Sequence, residues 1–168
     1  MKLVVVLAVF AAALLVVHAD FYIHLFDNTT QRYLSNIEYG LGVHYMVASK
    51  KSPDQFCRFR LVDLRQAGEK VAIQDNAGTD YFCHVQQGNS SVDENNFIRP
   101  DKHPTIDNTC KFEYKLKLDP NNICGKQIAL KADNDRYWTV SHENGFIKPL
   151  STSPVYFQMI SPNAKGQS

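Results

Sequence analysis

The sequence contains three copies of one unit, and this repetition constrains the fold more than any other feature. Each copy has an apolar stretch that ends in Asp-Asn and is followed by an aromatic-led pair: Asp27-Asn28 with Tyr33-Leu34, Asp75-Asn76 with Tyr81-Phe82, and Asp133-Asn134 with Tyr137-Trp138. Each copy continues with a second apolar pair: Tyr45-Met46, Phe97-Ile98 and Phe146-Ile147. Each closes on a phenylalanine after a proline-containing link: Phe59, Phe112 and Phe157. The Asp-Asn pairs lie 48 and 58 positions apart, and the closing phenylalanines lie 53 and 45 apart.

The repeated unit has the pattern of four β-strands. Short apolar runs with a period of two indicate half-buried strands, Asp-Asn is typical of turns, and proline marks strand ends and connections. Three such units predict an all-β fold, the β-trefoil, in which six strands form a closed barrel and three hairpins cap it. A β-sandwich is the alternative, but it does not explain why the pattern returns three times.

The N-terminus has the pattern of a secretory signal peptide. Lys2 precedes an apolar run over residues 3–17, and Ala19 ends a Val-His-Ala cleavage site. This run is too short to span a membrane comfortably. We therefore expect a signal peptide over residues 1–19 and a secreted, extracellular protein. One trefoil domain should cover 20–162, with repeats at about 20–65, 66–119 and 120–162, followed by a loose C-terminal tail over 163–168.

The cysteines and sequons agree with export. Four cysteines in a secreted chain predict two disulfides; they are Cys57, Cys83, Cys110 and Cys124. Three pairings are open, and a hairpin over 66–69 favours Cys57–Cys83, which leaves Cys110–Cys124. The sequons at Asn28 and Asn89 predict N-glycosylation.

The charge balance argues against several classes of partner. The chain has 18 basic and 17 acidic residues, and without Lys2 the two counts are equal at 17. Because no basic stripe occurs, nucleic acid and anionic membrane are poor partners. We expect glycans or extracellular proteins as partners, without membrane insertion, and the oligomeric state is left open.

The third unit carries a family resemblance. The segment from Ile128 to Ile160, with its Asp-Asn-x-x-Tyr and Phe-Ile-Lys-Pro motifs, resembles the repeat of fascin-type and amaranthin-type β-trefoils. The resemblance implies the trefoil fold, and either actin cross-linking or sugar binding. Since actin cross-linking conflicts with the signal peptide, it favours the lectin role. No Gln-x-Trp motif of ricin-type trefoil lectins occurs, so their galactose site is not carried over.

Candidate ligand-binding residues follow from the repeats. A carboxylate can accept hydrogen bonds from sugar hydroxyls and a tyrosine can stack on a sugar face, although Asp-Asn also shapes turns and the tyrosines can simply close the barrel. The candidates in the third unit, which has the shortest loop, are Asp133, Asn134, Tyr137 and His142. Those in the second unit are Asp75, Asn76 and Tyr81. Of each aromatic-led pair, we expect the second residue, Leu34, Phe82 or Trp138, to lie in the core.

No catalytic or metal-binding motif is present. The sequence lacks H-E-x-x-H, G-x-S-x-G and any His/Cys spacing typical of a metal site. We therefore expect no enzyme activity, no cofactor and no metal. The favoured function is a secreted, non-catalytic, carbohydrate-binding protein. The alternatives are an extracellular matrix or structural interaction protein, and a secreted protease inhibitor that presents one loop, at 86–96.

Overall fold

The computed structural model describes residues 21–64, 69–87, 95–101, 105–119 and 122–162, without the side chains of 122–124. The predicted signal peptide, the sequon at Asn89, most of the 86–96 loop, the side chain of Cys124 and the tail over 163–168 lie outside the described residues. The strands run in chain order as β1 Phe21–Asp27, β2 Arg32–Tyr39, β3 Val43–Lys50, β4 Arg58–Asp63, β5 Lys70–Gln74, β6 Tyr81–Gln86, β7 Asn96–Asp101, β8 Phe112–Asp119, β9 Asn122–Lys131, β10 Tyr137–Val140, β11 Ile147–Ser151 and β12 Phe157–Ile160. No helix within these ranges is long and apolar enough to cross a membrane.

The strands form a β-trefoil, which confirms the predicted fold class. The first and fourth strands of each repeat pair antiparallel around a closed ring, in the order β12, β1, β4, β5, β8, β9 and back to β12. The second and third strands of each repeat form the hairpins β2–β3, β6–β7 and β10–β11. Because the ring is closed, its six strands have no free edge in the barrel.

The repeated apolar positions form the core. The closing phenylalanines Phe59, Phe112 and Phe157 are completely buried, and so are Leu34, Phe82 and Trp138, as predicted. Neighbouring rings meet edge to face, with Phe112 and Trp138 centroids 4.8 Å apart and Phe59 and Phe82 centroids 5.4 Å apart. Edge-to-face packing of buried rings adds to the stabilisation that burial alone provides.

The disulfide differs from the predicted pairing. Cys83 on β6 bonds to Cys110, which ends a short 3₁₀ turn before β8. The prediction of Cys57–Cys83 and Cys110–Cys124 is therefore wrong, and Cys57 is a buried free thiol. The physical reason is the topology. The strand that follows Cys57, β4, pairs with β5, whereas Cys83 lies one strand later on β6. There it meets the 3₁₀ turn before β8, which belongs to its own repeat and holds Cys110.

Candidate functional site

Two of the three repeated aspartates shape their own turns. Asp27 accepts hydrogen bonds from the backbone N–H of Thr30 at 2.8 Å and from its hydroxyl at 2.6 Å. Asp75 accepts from the backbone N–H of Thr79 at 2.9 Å and from that of Asp80 at 3.3 Å. These are the local side-chain-to-backbone bonds that Asp forms in turns. Asp75 is therefore held by the turn between β5 and β6, and the adjacent Asn76 is exposed.

The third aspartate contacts another repeat. Asp133 lies in the turn between β9 and β10, and its carboxylate contacts Nδ1 of His84 on β6 at 2.5 Å. The other ring nitrogen of His84 lies 2.7 Å from Oδ1 of Asn96, and only 8% of the His84 side chain is exposed. Asn134 bonds within its own repeat, since its Oδ1 accepts from the Arg136 N–H in the turn and its Nδ2 donates to the Pro149 carbonyl on β11. The Asp133–His84 contact therefore joins the second and third repeats.

The candidate residues from the sequence do not form a single site. Tyr137 begins β10 and is 92% buried, and Tyr81 begins β6 and is partly buried. His142 is exposed in the turn between β10 and β11, at the opposite end of β10 from Asp133. Four strand residues separate these two turns by roughly 10 Å or more. Tyr137 lines an open cleft between β5, β8, β9 and β10.

An open cleft of about 410 Å³ lies where the second repeat meets the third. Its lining comes from the start of β5, the start of β8, the end of β9 and the start of β10. The lining residues are Glu69, Lys70, Glu113, Tyr114, Lys115, Lys131 and Tyr137. The cleft therefore combines two tyrosine rings with carboxylates and ammonium groups, and its volume lies within the range of small-molecule sites.

Lys131 organises the charges of the cleft. Its Nζ lies 2.7 Å from the Glu113 carboxylate and 3.2 Å from that of Asp135. Hydrogen bonds to Glu113 and then to Asp135 raise the pKa of Lys131 above its ordinary value. The Lys115 ammonium lies 5.6 Å from the centre of the Tyr137 ring. Half of the Glu113 side chain is exposed, so one carboxylate oxygen can accept hydrogen bonds from a ligand.

The other two repeat junctions carry different residues. Lys131, Gln74 and Phe26 occupy equivalent positions, because each pairs with the repeated tyrosine of its own unit. These pairs are Lys131 with Tyr137, Gln74 with Tyr81, and Phe26 with Tyr33. The same register makes Glu113 equivalent to Arg60 and Gln158. The position after it is Tyr114, Leu61 or Met159, and all three pack against the core. A carboxylate beside two tyrosines therefore occurs at one of the three junctions.

The sequence contains a signal for this site directly after the closing phenylalanines. Aligning the three closing phenylalanines places Glu113-Tyr114-Lys115 against Arg60-Leu61-Val62 and Gln158-Met159-Ile160. The second repeat is charged and aromatic where the third is neutral. That departure from the repeat consensus marks the strand that lines the cleft.

A second surface is aromatic and lies where the three hairpins meet. Tyr45, Phe97 and Phe146 occupy equivalent positions, and their ring centroids lie 5.1 to 5.7 Å apart. Tyr39 packs against Phe146 at 5.0 Å and is 46% exposed. Next to it, Leu41 is fully exposed at the tip of the β2–β3 hairpin, with a φ of 48°. The three rings form an aromatic cap where the hairpins meet.

The described residues contain no group of three or more His, Cys, Asp or Glu side chains arranged to hold a metal ion.

Proteins of known structure share the architecture at low sequence identity. No family model matches the chain, and no curated protein does. The designed threefold-symmetric protein ThreeFoil superposes with a TM-score of 0.62 at 12% identity, covering 83% of this chain and 98% of that one. A salivary protein of Culex quinquefasciatus from the Cysteins and Tryptophan-Rich family gives 0.62 at 9% identity, covering 87% and 96%. The SDF2-like protein of Arabidopsis thaliana gives 0.54 at 10% identity, covering 84% and 95%. At these identities the likeness shows the β-trefoil fold alone.

Proposed function

We propose that this protein is a secreted, non-catalytic carbohydrate-binding protein, and that the cleft between its second and third repeats is the binding site. The observation that carries the proposal is that the Glu113 carboxylate lines this cleft together with the rings of Tyr114 and Tyr137. The fascin-type and amaranthin-type resemblance of the sequence supports the lectin role. Secretion rests on the signal-peptide pattern, and the buried disulfide and the salivary neighbour are compatible with it.

The chemistry of the cleft matches that of a sugar. A sugar ring has an apolar face and a rim of hydroxyl groups. The partly buried Tyr114 ring offers an apolar surface, and the Tyr137 ring next to it carries a polar tip. The carboxylates of Glu113 and Glu69 can accept from hydroxyls, and the ammonium groups of Lys70 and Lys115 can donate to them. Because Lys131 already bonds two carboxylates, its role is to fix Glu113 in place.

The test is a glycan array probed with the chain lacking residues 1–19. We expect saturable binding to one family of glycans, reduced about tenfold or more by Glu113→Gln, since the amide is a weaker acceptor than the carboxylate. Tyr114→Leu, which keeps an apolar side chain on the core but removes the ring, should have a similar effect. Glu143→Gln is the matched control, because Glu143 is exposed in the β10–β11 turn outside the cleft. A blank array with folded protein would contradict the lectin proposal.

A second candidate function is interaction with other extracellular proteins, and the exposed hairpin tip favours it. Leu41, Tyr39 and Val43 place apolar groups in solvent beside the aromatic cap. Apolar and aromatic groups of this kind are enriched at the centres of protein interfaces. Light scattering over a range of concentrations would detect self-association, and Leu41→Ser should abolish it. A monomer at all concentrations would count against a self-assembling matrix role.

A further inference from the structure

The outer face of the barrel in the first repeat is aromatic and basic. On β1 the buried residues alternate with outward ones, so Tyr22, His24 and Phe26 form a row on the outside. On the paired strand β4, Arg60 lies opposite Tyr22 and Arg58 lies opposite His24. None of these five outward side chains is acidic. These five side chains make up the β1–β4 face.

The charge of Arg58 on this face is poorly compensated. Its guanidinium carbon lies 4.2 Å from the centre of the Tyr22 ring, a cation–π arrangement. Its Nε is buried and has no hydrogen-bond partner among the described residues. The carboxylate of Asp54, which precedes Arg58 in the chain, forms its ion pair with Lys50 at 3.1 Å. Burial, and then the positive charge of Arg58, lower the pKa of the neighbouring His24.

The geometry of the row fits an extended peptide. Alternate residues of a β-strand lie about 6.6 to 6.8 Å apart on one face, which sets the spacing of Tyr22, His24 and Phe26. An extended peptide has the same repeat, so successive side chains on one side of it can meet successive positions of the row. A guanidinium accepts a carboxylate through two parallel N–H···O bonds, and aromatic faces accept apolar groups.

We propose that the β1–β4 face binds an extended, acidic segment of a partner protein. A carboxylate of the segment pairs with Arg58, and its apolar side chains pack on Phe26 and His24. Charge complementarity favours this partner over a neutral sugar, because the five side chains of the face include two guanidinium groups and no carboxylate. The face lies within the first repeat, whereas the cleft lies between the second and third, so this proposal stands independently of the lectin function.

The test is fluorescence anisotropy with a labelled six-residue peptide, Val-Ser-Val-Ser-Glu-Ser, whose two valines and one glutamate lie on the same side of an extended chain. We expect saturable binding that weakens with added salt and that falls about tenfold or more in Arg58→Gln. Arg58→Lys keeps the positive charge but loses the two parallel N–H donors of the guanidinium, so its affinity for the peptide should fall by an intermediate amount. A peptide with glutamine in place of glutamate should not bind.

The controls separate the binding site from general effects of charge and folding. Lys117 also lies over a ring, 4.1 Å from the centre of Tyr156, so Lys117→Gln removes an equivalent cation elsewhere on the barrel and should leave peptide binding unchanged. Tyr22→Leu is a second variant on the face in case Arg58→Gln does not fold. Failure of the wild-type protein to bind, or equal binding by Arg58→Gln, would overturn the proposal. Binding of a uronate or sulfated oligosaccharide in place of the peptide would also overturn it.

Discussion

Replacing Ser35 with cysteine should create a second disulfide, to Cys57, because the first two repeats place equivalent residues together. Ser35 follows Tyr33-Leu34 on β2 as Cys83 follows Tyr81-Phe82 on β6, and Cys57 ends a 3₁₀ turn as Cys110 does. Both turns begin at an aspartate, Asp54 or Asp107, whose carboxylate lies 3.4 Å from the cysteine sulfur. Ser35 and Cys57 are completely buried.

The expected gain in stability follows from chain entropy and from the hydrogen bonds lost with the Ser35 hydroxyl. Residues 35 and 57 lie 22 positions apart, compared with 27 for the natural bond. Closing a loop of that length stabilises the folded state by about 3 kcal/mol in the entropy model. Ser35→Cys loses two hydrogen bonds of the hydroxyl, one with Ser49 at 2.7 Å and a longer one to the Val47 carbonyl at 3.4 Å, which together cost about 1 kcal/mol. The net gain of about 2 kcal/mol corresponds to a rise in Tm of roughly 4 to 8 °C for a chain of this size.

The assay has a matched control in the third repeat. Peptide mapping of oxidised Ser35→Cys should find the segment containing residue 35 linked to the segment containing Cys57. Thr139 occupies the same position on β10, but Val155 stands where the partner cysteine would be, so Thr139→Cys should form no new intramolecular bond. Free thiols at both positions 35 and 57 in oxidised Ser35→Cys, or a linked protein without a higher Tm, would refute the reasoning.

Three further predictions concern buried or turn-forming groups. Burial raises the pKa of the Cys57 thiol to about 11, so iodoacetamide at about pH 8 should leave Cys57 unmodified in the folded protein and label it in urea; rapid labelling of the folded protein would contradict its burial. Because the pKa of His24 is lowered in the folded state, the unfolded state binds the proton first as pH falls below about 6.5. Stability should therefore decline below that pH, and His24→Gln should reduce the decline in urea unfolding followed by the fluorescence of Trp138; an unchanged decline would exclude His24 as its source. Asp75→Ala should cost about 1 kcal/mol because it removes the turn bonds to Thr79 and Asp80, whereas Asn76→Ala, at an exposed position, should change stability by a few tenths of a kcal/mol. Equal costs for the two substitutions would show that the Asp75 bonds do not stabilise the turn.

The fold was predictable because the repeated pattern constrains it at every level. Period-two burial, the Asp-Asn turns and the closing phenylalanines are local features, and three copies of them fit a closed barrel. Asp75 illustrates this, since its turn bonds follow from chemistry within five residues. The core position of Trp138 followed from the alternation of a strand in the same way.

The disulfide and the cleft were harder to predict because they depend on contacts between distant segments. Cys83 meets Cys110 only because β6 folds over the turn that precedes β8. Asp133 resembles the other two aspartates in sequence, yet it contacts His84, 49 positions away, instead of its own turn. The cleft needs Glu113 from the second repeat and Tyr137 from the third, and a comparison of equivalent positions within repeats does not show which residues meet across them.

Calorimetric titration with the best glycan from the array tests the central claim most directly, because it counts sites. A carboxylate beside two tyrosines at one junction predicts one glycan per chain, with binding greatly weakened by Glu113→Gln and retained by Asp133→Ala and Glu143→Gln. Two or three glycans per chain, or unchanged binding by Glu113→Gln, would contradict a single site in the cleft.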